Sequence, residues 1–242
     1  MLRRRGKRRR KKVRDISDKM KTIIIGMPGS GKGTQAEMLA RHYHIAHIST
    51  GDLLRAELNR NTQLAKKVFQ LTSEGKLVPD SIINKMVKSR ISMPDCKRGF
   101  ILDGYPRNLA QAQFLDSRIG IDLAILISLE DEVAKARIMG RLYCPKCSAV
   151  YNMITGPKPR RDTLCDTCKV QLVRRADDSE DSFWHRVSIY HRITERVAEH
   201  YSEKCMLITI DGNRSASEVH RELIKRIDEF FSSKYSDQIG SQ

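Results

Sequence analysis

Short apolar runs alternate with segments of helical period along this chain, an order that predicts an α/β protein built on a parallel sheet. Thr22-Ile-Ile-Ile25 is unbroken and β-branched, as a strand covered on both faces should be. Phe100-Ile-Leu-Asp103, Leu123-Ala-Ile-Leu-Ile-Ser-Leu129 and Cys205-Met-Leu-Ile-Thr-Ile210 have the same character, and His44–Ser49 is a shorter candidate. Between them, Gly33–Tyr43 places Ala36, Leu39 and Ala40 on one helical face. The helix from Asp131 does so with Val133, Ala134, Ile138 and Met139, and Arg137 and Arg141, four residues apart, are expected to share a face near its end. A long helix from Ser179 carries Phe183, Val187, Tyr190, Val197 and Tyr201. An amphipathic helix spans Ala216–Phe231, with a frayed polar tail from Ser232. Residues 50–79 read as a helical excursion. Thr50 or Asp52 caps its first helix, Leu64–Ser73 forms the second, and Asp80 or Ser81 caps the helix that follows.

The loop after the first strand gives the pattern a chemistry. Gly26-Met-Pro-Gly29-Ser30-Gly31-Lys32-Gly33-Thr34 fits the phosphate-binding form G-x-x-x-x-G-K. Glycines let backbone N–H groups converge on phosphate oxygens, the helix start adds its positive end, and Lys32 supplies a point charge. Gly33 stands where most such loops carry the Ser or Thr that contacts Mg²⁺, so another metal contact is expected. Asp103 and Arg107 close and follow the Phe100–Asp103 strand, at the sheet edge where ligands bind in α/β folds. Asn108 is the expected cap of the next helix.

Charge is unevenly spread. Residues 1–19 hold eleven Lys/Arg against two Asp, which is +9 of the total +16. Such a block self-repels and is expected to be disordered, with non-specific attraction to nucleic acid or anionic lipid as its possible use. Met20-Lys21 leads straight into the first strand, so Met20 is the expected natural start and the block an artefact of start assignment or cloning. No apolar core follows the basic N-terminus as in a signal peptide, and no run is long enough to span a bilayer. The expected compartment is the cytoplasm.

Four of the six cysteines form Cys144-x-x-Cys147 and Cys165-x-x-Cys168, seventeen residues apart. In a cytoplasmic chain this spacing is a zinc ribbon: four thiolates close a tetrahedron and leave no vacant position, so the zinc is structural. His42, His44 and His47 lack a ligand context and read as surface or loop histidines.

These parts suit phosphoryl transfer, which asks for alignment, charge neutralisation and exclusion of water. Asp103 is placed to hold hydrated Mg²⁺ near the loop. From Met20 to about Phe231 the chain resembles the adenylate kinases. The resemblance rests on the loop Gly26–Thr34, Ser49-Thr-Gly-Asp-Leu-Leu-Arg55, Gly75-Lys-Leu-Val78, Leu102-Asp-Gly-Tyr-Pro-Arg107 with Gln111, Arg137-Ile-Met-Gly-Arg141 and Arg175-Ala-Asp-Asp178. The four cysteines resemble the zinc-bearing lid of the long bacterial form, and Gly-Lys-Gly-Thr is that family's version of the loop.

The resemblance implies a P-loop, doubly wound, five-stranded parallel sheet with two inserted mobile domains. The core would be residues 20–48, 79–140 and 179–231, with a nucleoside-monophosphate-binding domain at 49–78 and a zinc-binding lid at 141–178. The basic extension 1–19 and a flexible tail 232–242 would flank them. It implies reversible Mg²⁺-dependent transfer from ATP to AMP, giving two ADP. Gly29, Ser30, Gly31, Lys32, Gly33 and Thr34 would hold the ATP phosphates, Arg137 would pack on its adenine, and the backbone near Asn213 and Arg214 would meet its base. Lys32, Arg107, Arg141, Arg175 and Arg186 would neutralise the migrating group. AMP would meet Thr50, Arg55, Lys76, Leu77, Val78, Gly104, Arg107 and Gln111, with Arg175 and Arg186. Asp103 and Asp52 would hold Mg²⁺ through water. A monomer is implied, with no specific nucleic acid and no membrane partner. A UMP/CMP kinase is the rival within the class; Gln111 and the long lid weigh against it. A zinc-ribbon nucleic-acid-binding protein is the rival outside it; aromatics are only 6% and do not interleave with the cations.

Overall fold

A computed structural model describes residues 19–60, 62–73, 78–175 and 177–240. The basic block 1–18, Lys76 and Leu77 lie outside them. Five strands, β1 (Lys21–Ile25), β2 (Ala46–Ser49), β3 (Phe100–Asp103), β4 (Leu123–Ser128) and β7 (Leu207–Asp211), form a parallel sheet in the order β2-β3-β1-β4-β7. The β-branched runs supply strands whose alternate residues serve two cores. Ile23, Ile25, Phe100, Leu102 and Ala124 face one side, packed on α4 (Asp80–Ile91), α5 (Leu109–Arg118), α6 (Asp131–Met139), α7 (Glu180–Ile189) and α8 (Glu195–Glu203). Ile24, Ile101, Leu123, Ile125 and Ile127 face the other, packed on α1 (Lys32–Tyr43) and α9 (Ala216–Gly240).

The chain leaves β1 towards β2 on one side and leaves β3 towards β4 on the other. Their C-terminal ends therefore flank the crevice where an open parallel sheet takes its ligand. Two insertions rise from that edge. Helices α2 (Thr50–Leu58) and α3 (Gln63–Ser73) follow β2. A ribbon of β5 (Arg141–Tyr143) and β6 (Val150–Asn152), carrying the cysteines, joins α6 to α7. Among the described residues no helix is long and apolar enough to cross a membrane.

Several local expectations are corrected. The cap of α2 is Ser49, whose hydroxyl accepts from Asp52 N at 3.3 Å; neither Thr50 nor Asp52 caps it. Helix α4 starts at Asp80 after Pro79 with no side-chain cap, because the Asp80 carboxylate is turned to Asn108 and Gln111. Asn108 caps α5, accepting from Gln111 N at 2.8 Å. Arg137 and Arg141 do not share a helix. Helix α6 stops at Met139, and Arg141 opens β5, because the ribbon closes on Gly140 so tightly that a Cβ there would lie 2.5 Å from Asn152 Oδ1. The long helix after the ribbon is interrupted by a π-turn at Tyr190–Thr194. Helix α9 continues to Gly240 where fraying is expected from Ser232, since no Gly or Pro breaks the intervening run.

The sheet depends on centrally buried side chains such as Leu102, which is 0% exposed. Leu102→Ala is expected to lower stability by about 2–5 kcal/mol in urea titrations, without a change in m-value. A loss under about 1 kcal/mol would contradict this account of the core.

Candidate functional site

The loop after β1 is shaped by its glycines. Gly29 adopts φ 86°, and a Cβ there would lie 2.5 Å from the Ala134 carbonyl oxygen, so the loop can pass α6 only as glycine. Gly31 caps α1 at φ 88° with no side-chain hydrogen bond, which leaves the first N–H groups of the helix pointing into the crevice. Ser30 N donates to Met27 O at 3.1 Å and Lys32 Nζ to the same oxygen at 3.3 Å, so Lys32 folds back over the loop. Thr34 lies on the exposed side of the first turn of α1.

Asp103 ends β3 beside this turn. A Cβ at Gly33 would sit 3.1 Å from Asp103 Oδ2. The position that carries a hydroxyl in most such loops thus lies in tight contact with a carboxylate. Asp103 is buried, and among the described residues its Oδ1 has no hydrogen-bond partner. Burial alone would raise its pKa, but His47, Lys32 and Arg107 outweigh that and hold it below the usual carboxylate value. A buried, ionised oxygen without a partner, in a crevice built for phosphates, suits a hydrated divalent cation. Burial pushes the Lys32 ammonium down to about 8; Asp103 supports its charge, and Arg107, Arg141 and Arg186 oppose it.

Those arginines reach the crevice from three separate segments. Arg107 follows β3, with Nε donating to Gly104 O at 2.8 Å. Arg141 opens the ribbon and grips Asp178 through two bonds of 2.8 and 2.5 Å. Arg186 of α7 holds Asp177 at 2.9 Å and lies 3.6 Å from Asp178. Arg175 stacks over the Tyr143 ring at 5.6 Å, and burial and the nearby Arg141 and Arg55 lower its pKa. Arg137 donates to Gly212 O at 2.8 Å, beside the loop that holds Asn213 and Arg214; Arg214 itself pairs with Glu222.

Near α2, buried Thr50 donates to Gly104 O at 2.9 Å. Arg55 bonds one oxygen of Asp52 at 2.5 Å, three residues earlier on the same exposed helix face. Val78 packs against the core. Gln111 is buried, with Oε1 accepting from Arg107 N at 2.7 Å and Nε2 donating to Asp80 Oδ1 at 2.6 Å.

In the ribbon, the Sγ atoms of Cys144, Cys147, Cys165 and Cys168 all lie within 4.8 Å of one another, with Cys147 and Cys165 at 3.7 Å. A tetrahedron with Zn–S of about 2.3 Å has edges of about 3.8 Å. The two halves repeat one turn. Ser148 N bonds Cys144 O and Lys169 N bonds Cys165 O, each at 2.9 Å, with Ser148 and Lys169 at φ 60° and 57°. Cys147 N and Cys168 N point at Cys144 Sγ and Cys165 Sγ. The donor set and spacing fit a tetrahedral thiophilic metal.

Two groups escaped the sequence reading. His47 is not a surface or loop histidine: it lies on β2, half-buried, with Nε2 3.7 Å from Asp103 Oδ2. Asp178, its side chain 1% exposed, bridges Arg141 and Arg186. His47 has no local signal, because Asp103 lies on another strand; Asp178 stands within the Arg175-Ala-Asp-Asp178 motif, but its grip on Arg141, 37 residues away, is not visible there.

A glycine-loop turn at the switch point of a parallel sheet, faced by a buried aspartate and arginines from both sides, defines a P-loop nucleotide kinase. A family profile described as adenylate kinase matches residues 24–206. An adenylate kinase of Thermoanaerobacter sp. (strain X514) is 43% identical over 213 residues, covering 86% of this chain and 98% of the relative. One of Thermotoga maritima is 43% identical over 211 residues, 85% and 96% of the two chains, and one of Kosmotoga olearia 42% over 214, 86% and 99%. The chain belongs to the adenylate kinase family.

The depressed Lys32 pKa has a measurable consequence. A phosphate anion beside the ammonium favours its charged form, so binding raises the pKa and takes up a proton from solution. Near pH 8, calorimetry of tripolyphosphate binding in buffers of different ionisation enthalpy should show an uptake of about half a proton that fades below pH 6, where Lys32 is already charged. Lys32→Met should abolish that uptake; equal uptake by the variant would contradict the assignment.

Proposed function

We propose that this chain catalyses reversible transfer of the terminal phosphoryl group of ATP to AMP, yielding two ADP. Family membership supports the reaction, and the observation that carries the site reading is the convergence of Asp103, Arg107, Arg141 and Arg186 on Lys32 at one sheet edge. A phosphate oxygen of AMP attacks the γ-phosphorus of ATP. The bond from that phosphorus to the β–γ bridging oxygen breaks, and ADP leaves from each side. Such a reaction needs little covalent participation from protein, which suits a site composed of cations and backbone N–H groups.

The loop Gly29–Thr34 with the uncapped start of α1 cradles the ATP phosphates. Arg137 and the Gly212–Arg214 loop lie on the side suited to the ATP base. Thr50, Arg55, Val78, Gly104, Arg107 and Gln111 form the AMP side, to which the family pattern also assigns Lys76 and Leu77, outside the described residues. Lys32, Arg107, Arg141, Arg175 and Arg186 neutralise the migrating group between the two. Adenylate kinases act on ATP with Mg²⁺, and the ion supplies charge neutralisation across the β- and γ-phosphates when bound. Asp103 is the residue best suited to orient its waters, and Asp52, with one oxygen on Arg55, is the second candidate. Segments 49–78 and 141–178 act as two covers that close over the crevice and exclude water.

Zinc fills the four-cysteine centre in this reading and holds the ribbon folded. The purified chain is expected to carry one zinc per molecule by elemental analysis, and its removal should unfold the ribbon before the sheet, seen as early loss of amide protection over residues 141–173. Protein prepared without chelator that holds neither zinc nor iron would overturn this.

Coupled assays with Mg²⁺ should show rapid ADP formation from ATP and AMP. Lys32→Met should reduce kcat by about three orders of magnitude or more with the fold retained by circular dichroism. A preference for CMP or UMP over AMP would sink the substrate assignment, and wild-type turnover by Lys32→Met would sink the role of the lysine.

A further inference from the structure

Thr194 is the last residue of the π-turn between α7 and α8. The turn is marked by Glu195 N donating to Tyr190 O, one residue beyond the α-helical spacing. One extra residue rotates everything after it by about 100° relative to an uninterrupted helix, and π-turns recur where a helix must aim a side chain. A threonine hydroxyl within a helix ordinarily turns back on a carbonyl of its own preceding turn. Thr194 Oγ1 instead donates to the carbonyl oxygen of Arg107, 2.9 Å away and 87 residues earlier in the chain.

That carbonyl belongs to a residue held on its other side as well. Arg107 N donates to Gln111 Oε1 at 2.7 Å, and Gln111 Nε2 donates to Asp80 Oδ1 at 2.6 Å. Asp80 also accepts from Asn108 Nδ2 at 3.0 Å. The Arg107 backbone is therefore clamped from two directions, and its Nε is committed to Gly104 O, which leaves the terminal nitrogens for an incoming anion. The clamp has a further consequence. Asp80 opens the helix that follows the α2–α3 insertion, and Thr194 lies on the helical run that follows the ribbon and carries Arg186. A chain of three hydrogen bonds, from Asp80 through Gln111 and Arg107 to Thr194, thus joins the exits of the two insertions through an arginine of the crevice.

We propose that Thr194 is a positioning residue for phosphoryl transfer: its hydroxyl, presented by the π-turn, holds the Arg107 carbonyl and so aims the Arg107 guanidinium at the phosphates. This rests on the reading of Arg107 as a phosphate ligand given above. Displacement of a charged group by an ångström or less is enough to cost catalysis heavily, whereas the same hydrogen bond contributes modestly to folding because Thr194 is only half-buried. Loss of the hydroxyl should therefore appear in turnover and AMP affinity before it appears in stability.

The test uses the full zinc-loaded chain with Thr194→Val, Thr194→Ser, Arg107→Lys and the double variant Arg107→Lys/Thr194→Val, each assayed over a matrix of ATP and AMP concentrations and melted. Thr194→Val should lose about tenfold in kcat and raise KM for AMP, with KM for ATP unchanged within about twofold. Thr194→Ser, which keeps a hydroxyl, should restore both. In the Arg107→Lys background the Thr194→Val change should cost little more, because the group it positions is gone. Wild-type kinetics for Thr194→Val would overturn the proposal. So would equal impairment of Thr194→Ser, or an undiminished effect in the Arg107→Lys background. Wild-type kinetics for Arg107→Lys itself would instead remove the reading of Arg107 on which the proposal stands.

Discussion

The crevice crowds three guanidinium groups around a buried lysine, whose charge is opposed first by burial and supported by Asp103. Lys32, Arg107, Arg141 and Arg186 come close enough that the three guanidinium groups oppose the lysine's charge. Free side chains would not stay so arranged, so each cation is held by a local anchor. Lys32 is folded onto the Met27 carbonyl, Arg107 onto Gly104, and Arg141 and Arg186 onto the aspartate pair 177–178. Asp178 bears the largest share: nearly inaccessible to water, it grips Arg141 with both oxygens and stands beside Arg186. Removing one partner of such a pair strands a buried charge, which costs about 3–5 kcal/mol. The anchors thus hold four cations around one crevice, an arrangement suited to polyanions.

The topology explains why these cations can meet. Chain segments leave β1 and β3 in opposite directions, and the gap between their C-terminal ends receives the glycine loop from one strand and Asp103 and Arg107 from the other. Both insertions spring from the same edge; the ribbon brings Arg141 and Arg175, and the core helix α7 brings Arg186. Gly33 illustrates how closely the parts are fitted. A side chain there would press on Asp103 unless the carboxylate gave way by a few tenths of an ångström. The ribbon has its own source of order in four converging thiols and has only a small apolar cluster of its own, Tyr151 and Leu172 with two of the cysteines.

Where the sequence misled, a local rule met a remote partner. Asp80 is an apt helix cap by type, yet Asn108 and Gln111 claim its carboxylate. Arg137 and Arg141 have helical spacing, yet the close approach of Asn152 ends the helix at Gly140. His47 carries no motif, and it matters only because parallel pairing of β2 with β3 sets it near Asp103. The engagement of both amide ends of Gln111, with Arg107 N and Asp80, carries no local signal either.

The sequence by itself determined the elements and the ligand chemistry. Unbroken β-branched runs dictate buried parallel strands, a glycine-lysine pattern dictates the turn between strand and helix, and paired Cys-x-x-Cys spacings dictate one four-thiol centre. Each of these is a matter of covalent neighbours and intrinsic conformation. Tertiary structure alone decided which charges face one another: Asp178 between two arginines, Asp103 against the loop, and Thr194 against the Arg107 carbonyl across 87 residues. Such contacts depend on strand order, helix rotation and a single π-turn, and no window of local sequence contains them.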